Sequence, residues 1–419
     1  MIKPEKILFI SYDGLTDPLG QSQIIPYLAG LSKYGYKFTV LSCDKPDQYI
    51  KNKEYVQKLI NDYPIKWVSI PYHKHPPVLS SILDYYQLKK KARELHAAES
   101  FDMVHTRPGV PTLVALWLKK KYARLPNGQG IKFLNDVRGF WADERVDGGM
   151  WNLRNPVFKK IYNFFKKHEY ECMERAEHTT CLTYHAKKEM QSWKNISNQP
   201  IPIEVIPCSV DLDLFNPDEI NQGLKKNLKD ELHITDEDFI VSYLGSIGGW
   251  YLTDEMMQFC SILLKKMPKV KFLFISPHRH EVIEAAAKKY GISSENIIVK
   301  SAARHEVPIL LSFSRYSLFF IKPCYSKISS SPTKHAEIMA MGIPVITNAG
   351  VGDVEEITTK YNSGIIIREL NTDHYETAAN QIANGKKFNK EEIITGAKEY
   401  YGLDLAIQKY QSVYRKILG

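Results

Sequence analysis

The alternation of short apolar runs with longer amphipathic stretches is the feature that most constrains the fold of this chain. Such alternation predicts strands followed by helices, and strands connected in this way form a mainly parallel, doubly wound α/β sheet. The alternation occurs twice, and the polar stretch 211–234 separates the two series. Since 419 residues also exceed what one core usually supports, we predict two Rossmann-like domains in tandem.

The predicted elements divide into a first and a second series. The strands of the first series are 6–11, 38–42, 66–70, 102–105, 132–136, 178–182 and 204–206, and those of the second are 239–245, 271–276, 296–299, 318–321, 344–348 and 364–367. The clearest helical patterns are 23–34, 83–98, 253–266, 280–290 and 334–341, and a last helix is predicted over 405–418.

The domain boundaries follow from this pattern. We predict a first domain over 1–207, a linker over 208–237, a second domain over 238–400 and a terminal helix, 401–419, that packs toward the first domain. In open parallel sheets, ligands lie beyond the carboxyl ends of the strands. We therefore expect the site in a cleft between the two domains, lined by residues that directly follow strands.

The most informative motif is SSSPTKHAEIMAMG, residues 329–342, which lies between two predicted strands. Pro332 suits the first turn of a helix, and Ser330 or Ser331 is placed to cap it. A helix that begins here presents free N–H groups, which favour phosphate. Gly342 is then placed to end the helix.

Three further side chains give this helix its chemistry. Thr333 and Lys334 add a hydroxyl and an ammonium group at the helix start. Glu337 lies within the first two turns, where its carboxylate can accept hydrogen bonds from two adjacent ribose hydroxyls. The alternative is a capped helix that carries an exposed acidic residue.

The run EIMAMGIPV, residues 337–345, resembles the signature of the family-four glycosyltransferases, which are retaining enzymes of the GT-B fold. The chain is similar to the variant that reads S-P-T-K-x-x-E. The resemblance implies that Glu337 binds the donor ribose, and that Ser331, Thr333 and Lys334 lie near the donor diphosphate. The first Glu of the family's E-x7-E motif would fall at Ser329, so the residue that contacts the donor sugar stays open.

Two glycine-containing loops follow the first strand of each series. In the first, SYDGLTDPLGQSQ, the resemblance implies that Gly20 and Gln21 lie near the diphosphate and the acceptor; a plain strand–helix loop is the alternative. In the second, GSIGGWYL, we expect Ser246, Gly248 and backbone N–H groups to bind phosphate. The family usually has an Arg and a Lys in this second loop, and the chain has neither.

Asp136 ends another predicted strand and Arg138 follows it, at a place where the family commonly has a His near the donor sugar. An Arg can hold a phosphate, a sugar hydroxyl or an anionic acceptor group, and Asp136 can orient it. We therefore predict these two as catalytic residues, with a structural Arg–Asp pair as the alternative.

Three smaller features complete the predicted site. Arg107 follows a strand and is expected on the acceptor side, although a structural role is equally open. His305 and Val307 lie where family members hold the nucleotide base. The D-x-D sequence at 211–213 resembles the family's V-D-x-x-x-F element, so no metal site is expected there.

Charge points to anionic partners of the first half. Residues 1–200 carry 31 Lys and Arg against 20 Asp and Glu, whereas 201–419 carry 25 against 27. Residues 157–168 combine Lys pairs with aromatic residues at helical spacing, which is typical of helices on anionic membranes. The alternatives are a solvated basic surface and a helix whose aromatic side chains lie in the core.

The remaining composition excludes several classes. The six cysteines are scattered without a C-x-x-C pair, which argues against a disulfide or metal framework. We see no signal peptide and no apolar run long enough to span a bilayer, so we expect a cytoplasmic protein, either free or at the inner face of the cell membrane.

The predicted activity is transfer of a sugar, with retention of configuration, from a nucleotide diphosphate sugar to an acceptor hydroxyl. By the resemblance, the first domain binds the acceptor, the second binds the donor, and no metal or other cofactor takes part. The acceptor is expected to be a surface polysaccharide or a lipid-linked sugar, and no nucleic acid partner is expected. The alternatives are a GT-B-fold epimerase of nucleotide sugars and a non-enzymatic basic protein that binds membranes or nucleic acid.

Overall fold

The computed structural model describes residues 4–76, 78–123, 130–194, 196 and 200–419. The chain divides into two compact units by its internal contacts. The first unit is Met1–Pro207 with Leu403–Gly419, and the second is Cys208–Gly402.

The strands and helices alternate along nearly the whole chain. The strands are β1 (Lys6–Ser11), β2 (Lys37–Asp44), β3 (Ile65–Pro71), β4 (Met103–Thr106), β5 (Lys132–Val137), β6 (His178–Cys181), β7 (Ile203–Val205), β8 (Phe239–Leu244), β9 (Val270–Ile275), β10 (Ile297–Lys300), β11 (Tyr316–Phe319), β12 (Val345–Asn348) and β13 (Gly364–Ile367). The helices are α1 (Pro18–Gln23), α2 (Ile25–Ser32), α3 (Pro46–Ile60), α4 (Leu79–Glu99), α5 (Val110–Lys121), α6 (Trp141–Asp147), α7 (Pro156–Arg175), α8 (Tyr184–Ser192), α9 (Gln222–Glu231), α10 (Thr253–Lys266), α11 (His280–Lys289), α12 (Val307–Leu311), α13 (Thr333–Ala340), α14 (Val354–Lys360), α15 (Thr372–Ala383), α16 (Lys390–Tyr401) and α17 (Leu403–Leu418).

The first unit is built on a parallel sheet with the strand order β3-β2-β1-β4-β5-β6-β7. Successive residues of β1 point to opposite faces of this sheet, as strand geometry requires. Ile7 and Phe9 enter the core under α2 and α17, whereas Leu8 and Ile10 enter the core under α4 and α5. The chain leaves β1 on one side and returns on the other at β4, so the loops after these strands flank a topological switch point.

The last helix of the chain, α17, belongs to the first unit. It buries Tyr410, Val413, Tyr414 and Ile417 at spacings of three and four residues, which is one face of a helix. Gly30 of α2 permits this packing, because a Cβ there would lie 2.2 Å from Cδ1 of Ile407.

The second unit has a parallel sheet with the order β10-β9-β8-β11-β12-β13. Its switch point lies between β8 and β11. The segment 208–237, predicted as a linker, is part of this unit and contains α9, whose Leu228 is buried in the core. The sequence analysis missed α9 because this helix is mostly polar and buries only Leu228.

Two Rossmann-like units with parallel sheets confirm the predicted fold class, and each predicted strand corresponds to an observed one. A difference occurs at the predicted helix 23–34. The chain forms α1, breaks at Ile24 and starts α2 at Ile25, with Pro26 in the first turn. Proline has no N–H to continue the preceding helix, which explains the break. Among the helices of the described residues, none has the length and apolar character of a membrane span.

The close approach at Gly20 allows a test of the loop after β1. A Cβ on Gly20 would lie 2.2 Å from the carbonyl oxygen of Gly14, so Gly20→Ala must displace backbone. We expect the free energy of unfolding to fall by about 1–3 kcal/mol. Urea unfolding followed by circular dichroism measures this.

The matched control for Gly20 is Gly223→Ala in α9. A Cβ there would meet only Oδ1 of Asn221, at 3.4 Å, so this variant should be as stable as the wild type or more stable. Equal unfolding midpoints for the two variants would contradict a packing role for Gly20.

Candidate functional site

Asp136 is the centre of a buried cluster at the carboxyl ends of β4 and β5. Its Oδ1 accepts a hydrogen bond from Oγ1 of Thr180 (2.7 Å), and its Oδ2 accepts one from the hydroxyl of Tyr410 (3.1 Å). Nε of Arg107 lies 3.6 Å from Oδ2, and Nη1 of Arg138 lies 4.0 Å from Oδ1. One carboxylate is thus surrounded by two guanidinium groups and two hydroxyls, and we call these five residues the Asp136 cluster.

The charge state of this cluster follows from its composition. Burial opposes ionisation of Asp136, but Arg138 and Arg107 outweigh it and hold the pKa of this carboxyl below its usual range. Nε2 of His105 lies 3.4 Å from Oδ2 of Asp136, and its Nδ1 pairs with the hydroxyl of Tyr414 at 2.8 Å. Burial lowers the pKa of His105, so the ring is neutral and the carboxylate is ionised at neutral pH.

Arg138 is held by several partners within the first unit. Its Nη1 donates to the carbonyl oxygen of Ile206 (3.1 Å) and to the hydroxyl of Tyr410 (3.4 Å), and its Nη2 donates to Oε1 of Gln23 (3.5 Å). The guanidinium also lies 5.9 Å from the ring centre of Tyr27. The sequence prediction paired Arg138 with Asp136, and the structure brings them together within this wider network.

Arg107 joins the same network. It is buried, and its Nη2 donates to the carbonyl oxygen of Gln23 while its Nε faces Asp136. These contacts give Arg107 a structural position beside Arg138, and its predicted place on the acceptor side stays a prediction.

The two residues predicted near the loop after β1, Gly20 and Gln21, differ in their exposure to solvent. Gly20 lies inside α1 and is buried, whereas Gln21 is partly exposed and its Nε2 donates to the carbonyl oxygen of Thr16 at 3.1 Å. Asp13, which the sequence analysis did not single out, is exposed in this loop. Its position directly after a strand was the signal that could have identified it.

A second cluster lies in the second unit at the start of α13, and Lys334 and Glu337 are its centre. Both are buried, three residues apart on α13. Oε1 of Glu337 accepts from Nη1 of Arg304 at 2.5 Å. Nζ of Lys334 donates to the hydroxyl of Tyr243 at 3.1 Å and lies 3.7 Å from the ring centre of Tyr251.

Burial dominates the electrostatics of this second cluster. It lowers the pKa of Lys334 well below its usual range and raises the pKa of Glu337, against the opposing charges of Arg304 and Lys334. Nζ of Lys334 reaches the loop after β8, where Gly245 has φ +121° and a Cβ would lie 2.7 Å from that nitrogen. The loop after β8 and the start of α13 therefore meet at Lys334.

The start of α13 differs from the sequence prediction. The N-cap residue is Pro332 itself, so the predicted cap by Ser330 or Ser331 is wrong. Oγ of Ser331 instead accepts from the N–H of Cys208 at 3.2 Å. Because Pro332 has no side-chain oxygen, it offers no cap to the first N–H groups of the helix, and Thr333 is the first helical residue.

The guanidinium of Arg279, a residue distant in the sequence, lies against the glycine loop after β8. Gly248 has φ +78°, and a Cβ there would lie 2.7 Å from Nη1 of Arg279. That Nη1 donates to the carbonyl oxygen of Ile247 at 3.2 Å. The carbonyl oxygen of Ser246 accepts from the hydroxyl of Tyr243. Arg279 precedes α11, so no motif in the loop itself could have revealed it.

The segment predicted to hold the nucleotide base contributes an unpredicted residue. His305 is exposed, whereas Val307 is buried as the first residue of α12. The neighbouring Arg304 is the residue that pairs with Glu337, and its guanidinium lies 4.8 Å from the ring centre of Phe215. Arg304 could have been predicted from its position next to His305, which the sequence analysis had placed near the base.

Two positions of interest in the sequence have local structural roles. Ser329, where the family has an acidic residue, is buried and donates to the carbonyl oxygen of Ser326 at 2.6 Å. Oδ1 of Asp211 accepts from the N–H groups of Asp213 and Leu214, at 3.0 and 3.2 Å, which forms a turn. Over the described ranges, no group of three or more His, Cys, Asp or Glu side chains could hold a metal ion.

The helix predicted to contact a membrane lies within α7. Phe165 packs on Trp141 and Trp151, with ring centres 4.6 and 5.9 Å apart, whereas Val157 and Phe164 are exposed. Its aromatic residues are thus divided between packing and solvent, and membrane contact through 157–168 stays a prediction.

Two domain models of known families match the chain, one in each half. A model described as Glycosyltransferase Family 4 matches residues 26–214, and a model described as Glycosyl transferases group 1 matches residues 225–399. A search of curated proteins gave no match.

Solved structures resemble the whole chain at low sequence identity. Sucrose-phosphate synthase from Thermosynechococcus elongatus has a TM-score of 0.73 at 12% identity and covers 98% of both chains. HepE from Anabaena, solved with UDP and glucose, has a TM-score of 0.69 at 11% identity and covers 98% of this chain and 99% of its own. WaaG, a glycosyltransferase involved in lipopolysaccharide biosynthesis, has a TM-score of 0.64 at 15% identity and covers 99% of this chain and 100% of its own.

At these identities the structures establish the fold, which is GT-B, and the two domain models establish the relationship. Since glycosyltransferase models match both halves, this chain belongs to the family-four, group 1 glycosyltransferases of the GT-B fold.

Proposed function

We propose that this glycosyltransferase moves a sugar from a nucleotide diphosphate sugar to an acceptor hydroxyl. The observation that carries the proposal is the second cluster, in which Glu337 and Lys334 stand buried at the start of α13, next to the glycine loop after β8. This is the switch point of the second sheet, where α/β proteins bind nucleotides.

The donor ribose is assigned to Glu337. An ionised carboxylate accepts hydrogen bonds at about four lone-pair sites, so pairing with Arg304 leaves sites for two ribose hydroxyls. His305 and Val307 are proposed to flank the base. The HepE structure with UDP makes uridine diphosphate the first nucleotide to test.

The donor diphosphate is assigned to the N–H groups of α13 and of the glycine loop, together with nearby cations. Lys334 and Arg279 reach this loop and are proposed to supply positive charge, and Thr333, Ser331, Ser246 and Gly248 are proposed to contact the same diphosphate. A departing diphosphate gathers negative charge in the transition state, and fixed dipoles and cations stabilise it without rearranging. We propose that the reaction retains configuration and uses no metal, as the family resemblance implies.

The first unit is proposed to bind the acceptor. Arg138, oriented by Asp136, is assigned a contact with a sugar hydroxyl, phosphate or anionic acceptor group. Arg107 is proposed on the acceptor side, and Gly20 and Gln21 are proposed near the diphosphate and the acceptor. The resemblance to WaaG supports an acceptor in surface polysaccharide or glycolipid assembly. We place the enzyme in the cytoplasm, at the inner face of the cell membrane, where residues 157–168 would meet anionic lipid.

Glu337→Gln separates donor binding from folding. The neutral amide loses a charged acceptor for the ribose, so affinity for uridine diphosphate should fall at least about tenfold. Isothermal titration calorimetry measures this, with Glu284→Ala on the exposed side of α11 as the control that should bind as the wild type does. Unchanged affinity in Glu337→Gln would refute the ribose assignment.

The same variant has an expected stability signature. Because burial raises the pKa of Glu337, the folded state keeps this proton to a higher pH than the unfolded chain does. The contribution of Glu337 to the free energy of unfolding therefore decreases as the pH rises from its pKa in the unfolded chain to its pKa in the folded state. Relative to the wild type, Glu337→Gln should become more stable from acidic to neutral pH, as thermal unfolding at several pH values would measure.

Arg138→Ala should lower kcat by about a hundredfold while uridine diphosphate affinity is kept, because a cation near the reaction centre is lost. Arg138→Lys keeps the charge beside Asp136 but not the planar fork, so it should stay folded and still lose turnover. Arg175→Ala, an exposed residue of α7, is the control. Wild-type kcat in a folded Arg138→Ala variant would remove Arg138 from the site.

Product analysis decides between the proposed activity and its rivals. Mass spectrometry of reactions with and without acceptor should show a glycosylated acceptor and free nucleoside diphosphate only when acceptor is present. An isomerised nucleotide sugar without acceptor would indicate an epimerase. A thermal-shift screen with no response to any nucleoside diphosphate or nucleotide sugar would favour a non-enzymatic basic protein.

A further inference from the structure

An exposed apolar ridge runs along the first two turns of α4 in the first unit. Leu79, Ile82, Leu83 and Tyr86 are exposed to 63%, 47%, 45% and 61%. Their spacing of three, four and seven residues places them on one side of a helix, over about 10 Å of its axis. We call these four residues the α4 face.

Four adjacent exposed apolar side chains differ from scattered surface residues. Single exposed apolar residues are ordinary, but contiguous patches mark contacts with a membrane or another protein. The opposite side of α4 accounts for its folding, since Leu88, Ala92 and Leu95 enter the core. The α4 face is therefore not needed to hold the helix in place.

The side chains around the α4 face carry a net positive charge, which favours an anionic partner. Residues 74–94 carry five Lys and Arg against two acidic residues, of which Asp84 is buried and Glu94 is exposed and pairs with Lys91 at 3.4 Å. Lys90 and Arg93 are exposed and continue the same side of the helix beyond Tyr86, and Lys74 is exposed before the helix begins. An apolar ridge with an aromatic residue and flanking cations matches the boundary of an anionic bilayer, where apolar groups enter the acyl region and cations meet headgroups.

The α4 face is connected to the loop after β1 through buried Asp84. The hydroxyl of Tyr12 donates to Oδ2 of Asp84 at 2.7 Å, and Nδ1 of His73 pairs with Oδ1 at 2.6 Å. These bonds fix the first turns of α4 to the loop that carries Asp13 and leads into α1. A membrane contact through α4 would therefore hold this loop at a fixed distance from the lipid surface.

We propose that the α4 face docks the first unit on an anionic lipid bilayer, as its main membrane contact, ahead of residues 157–168. In α7 only Val157 and Phe164 are large exposed apolar residues, seven positions apart, so that helix offers a smaller apolar surface. The inference deepens the proposed function by naming the surface that faces a lipid-linked acceptor. Membrane binding itself does not depend on catalysis.

Vesicle flotation with the full chain tests the proposal. Vesicles of equal parts phosphatidylcholine and phosphatidylglycerol should bind the wild type, and pure phosphatidylcholine should bind it more weakly. The variant Leu79→Ser, Leu83→Ser, Tyr86→Ser should lower partitioning into the mixed vesicles about tenfold or more. The matched control, Val157→Ser, Phe164→Ser, should bind nearly as the wild type does.

A second measurement reports the depth of the contact. An environment-sensitive fluorophore on Tyr86→Cys should shift to the blue when mixed vesicles are added, whereas the same label on Phe164→Cys should shift less. The labelled chains carry Cys324→Ser, because Cys324 is partly exposed while the other five cysteines are buried.

Several results would overturn the proposal. These are wild-type vesicle binding by the α4 variant, a larger loss in the α7 control, or no vesicle binding by the wild type. A dimer in the absence of lipid that the α4 variant abolishes would assign the face to a second copy instead. Thermal shift with uridine diphosphate on each variant reports the donor site independently, so loss of membrane binding and loss of the proposed activity are distinguishable.

Discussion

The buried carboxylate of Asp136 holds the first unit together at the carboxyl ends of its central strands. It accepts hydrogen bonds from Thr180 on β6 and from Tyr410 on α17, and it faces Arg107 after β4. A buried carboxylate without partners would be strongly destabilising, so each of these elements is constrained by the need to satisfy it. The last helix of the chain thereby contacts Arg138 through Tyr410, although 272 positions separate these two residues in the sequence.

The second unit handles buried charge in the opposite way. Asp136 is surrounded by more positive charge than it needs, whereas Lys334 lies against two tyrosine rings and its ammonium is disfavoured by burial. A dianionic group placed beside Lys334 would restore the charged form, because an opposite charge offsets desolvation. The first cluster therefore keeps an excess of positive charge around an ionised carboxylate, whereas in the second cluster an anion would favour the charged form of Lys334.

The sequence predicted the fold well because its strands are short apolar runs in a strict order with helices, and this order leaves few topologies for a parallel sheet. It singled out Glu337, Lys334, Asp136 and Arg138 because each lies at the end of a strand, just after one or at a helix start, and the structure brings them into two clusters. It could not predict Arg279 or Arg304, since their neighbours Gly248 and Glu337 are about 30 residues away and only the packed sheet brings them together. The serine cap failed because Pro332 competes for the same position.

The glycines of the loop after β8 show how the chain compensates for the missing cations. Gly245 leaves room for Nζ of Lys334, and Gly248 leaves room for Nη1 of Arg279, each within 2.7 Å of where a Cβ would stand. Both have positive φ, so a side chain would be strained there as well as crowded. Positive charge therefore enters this loop from α13 and from the start of α11, through openings that only glycine provides. A substitution at either glycine would displace Lys334 or Arg279 even though it removes no basic residue, so these two glycines and the two basic side chains form one structural unit.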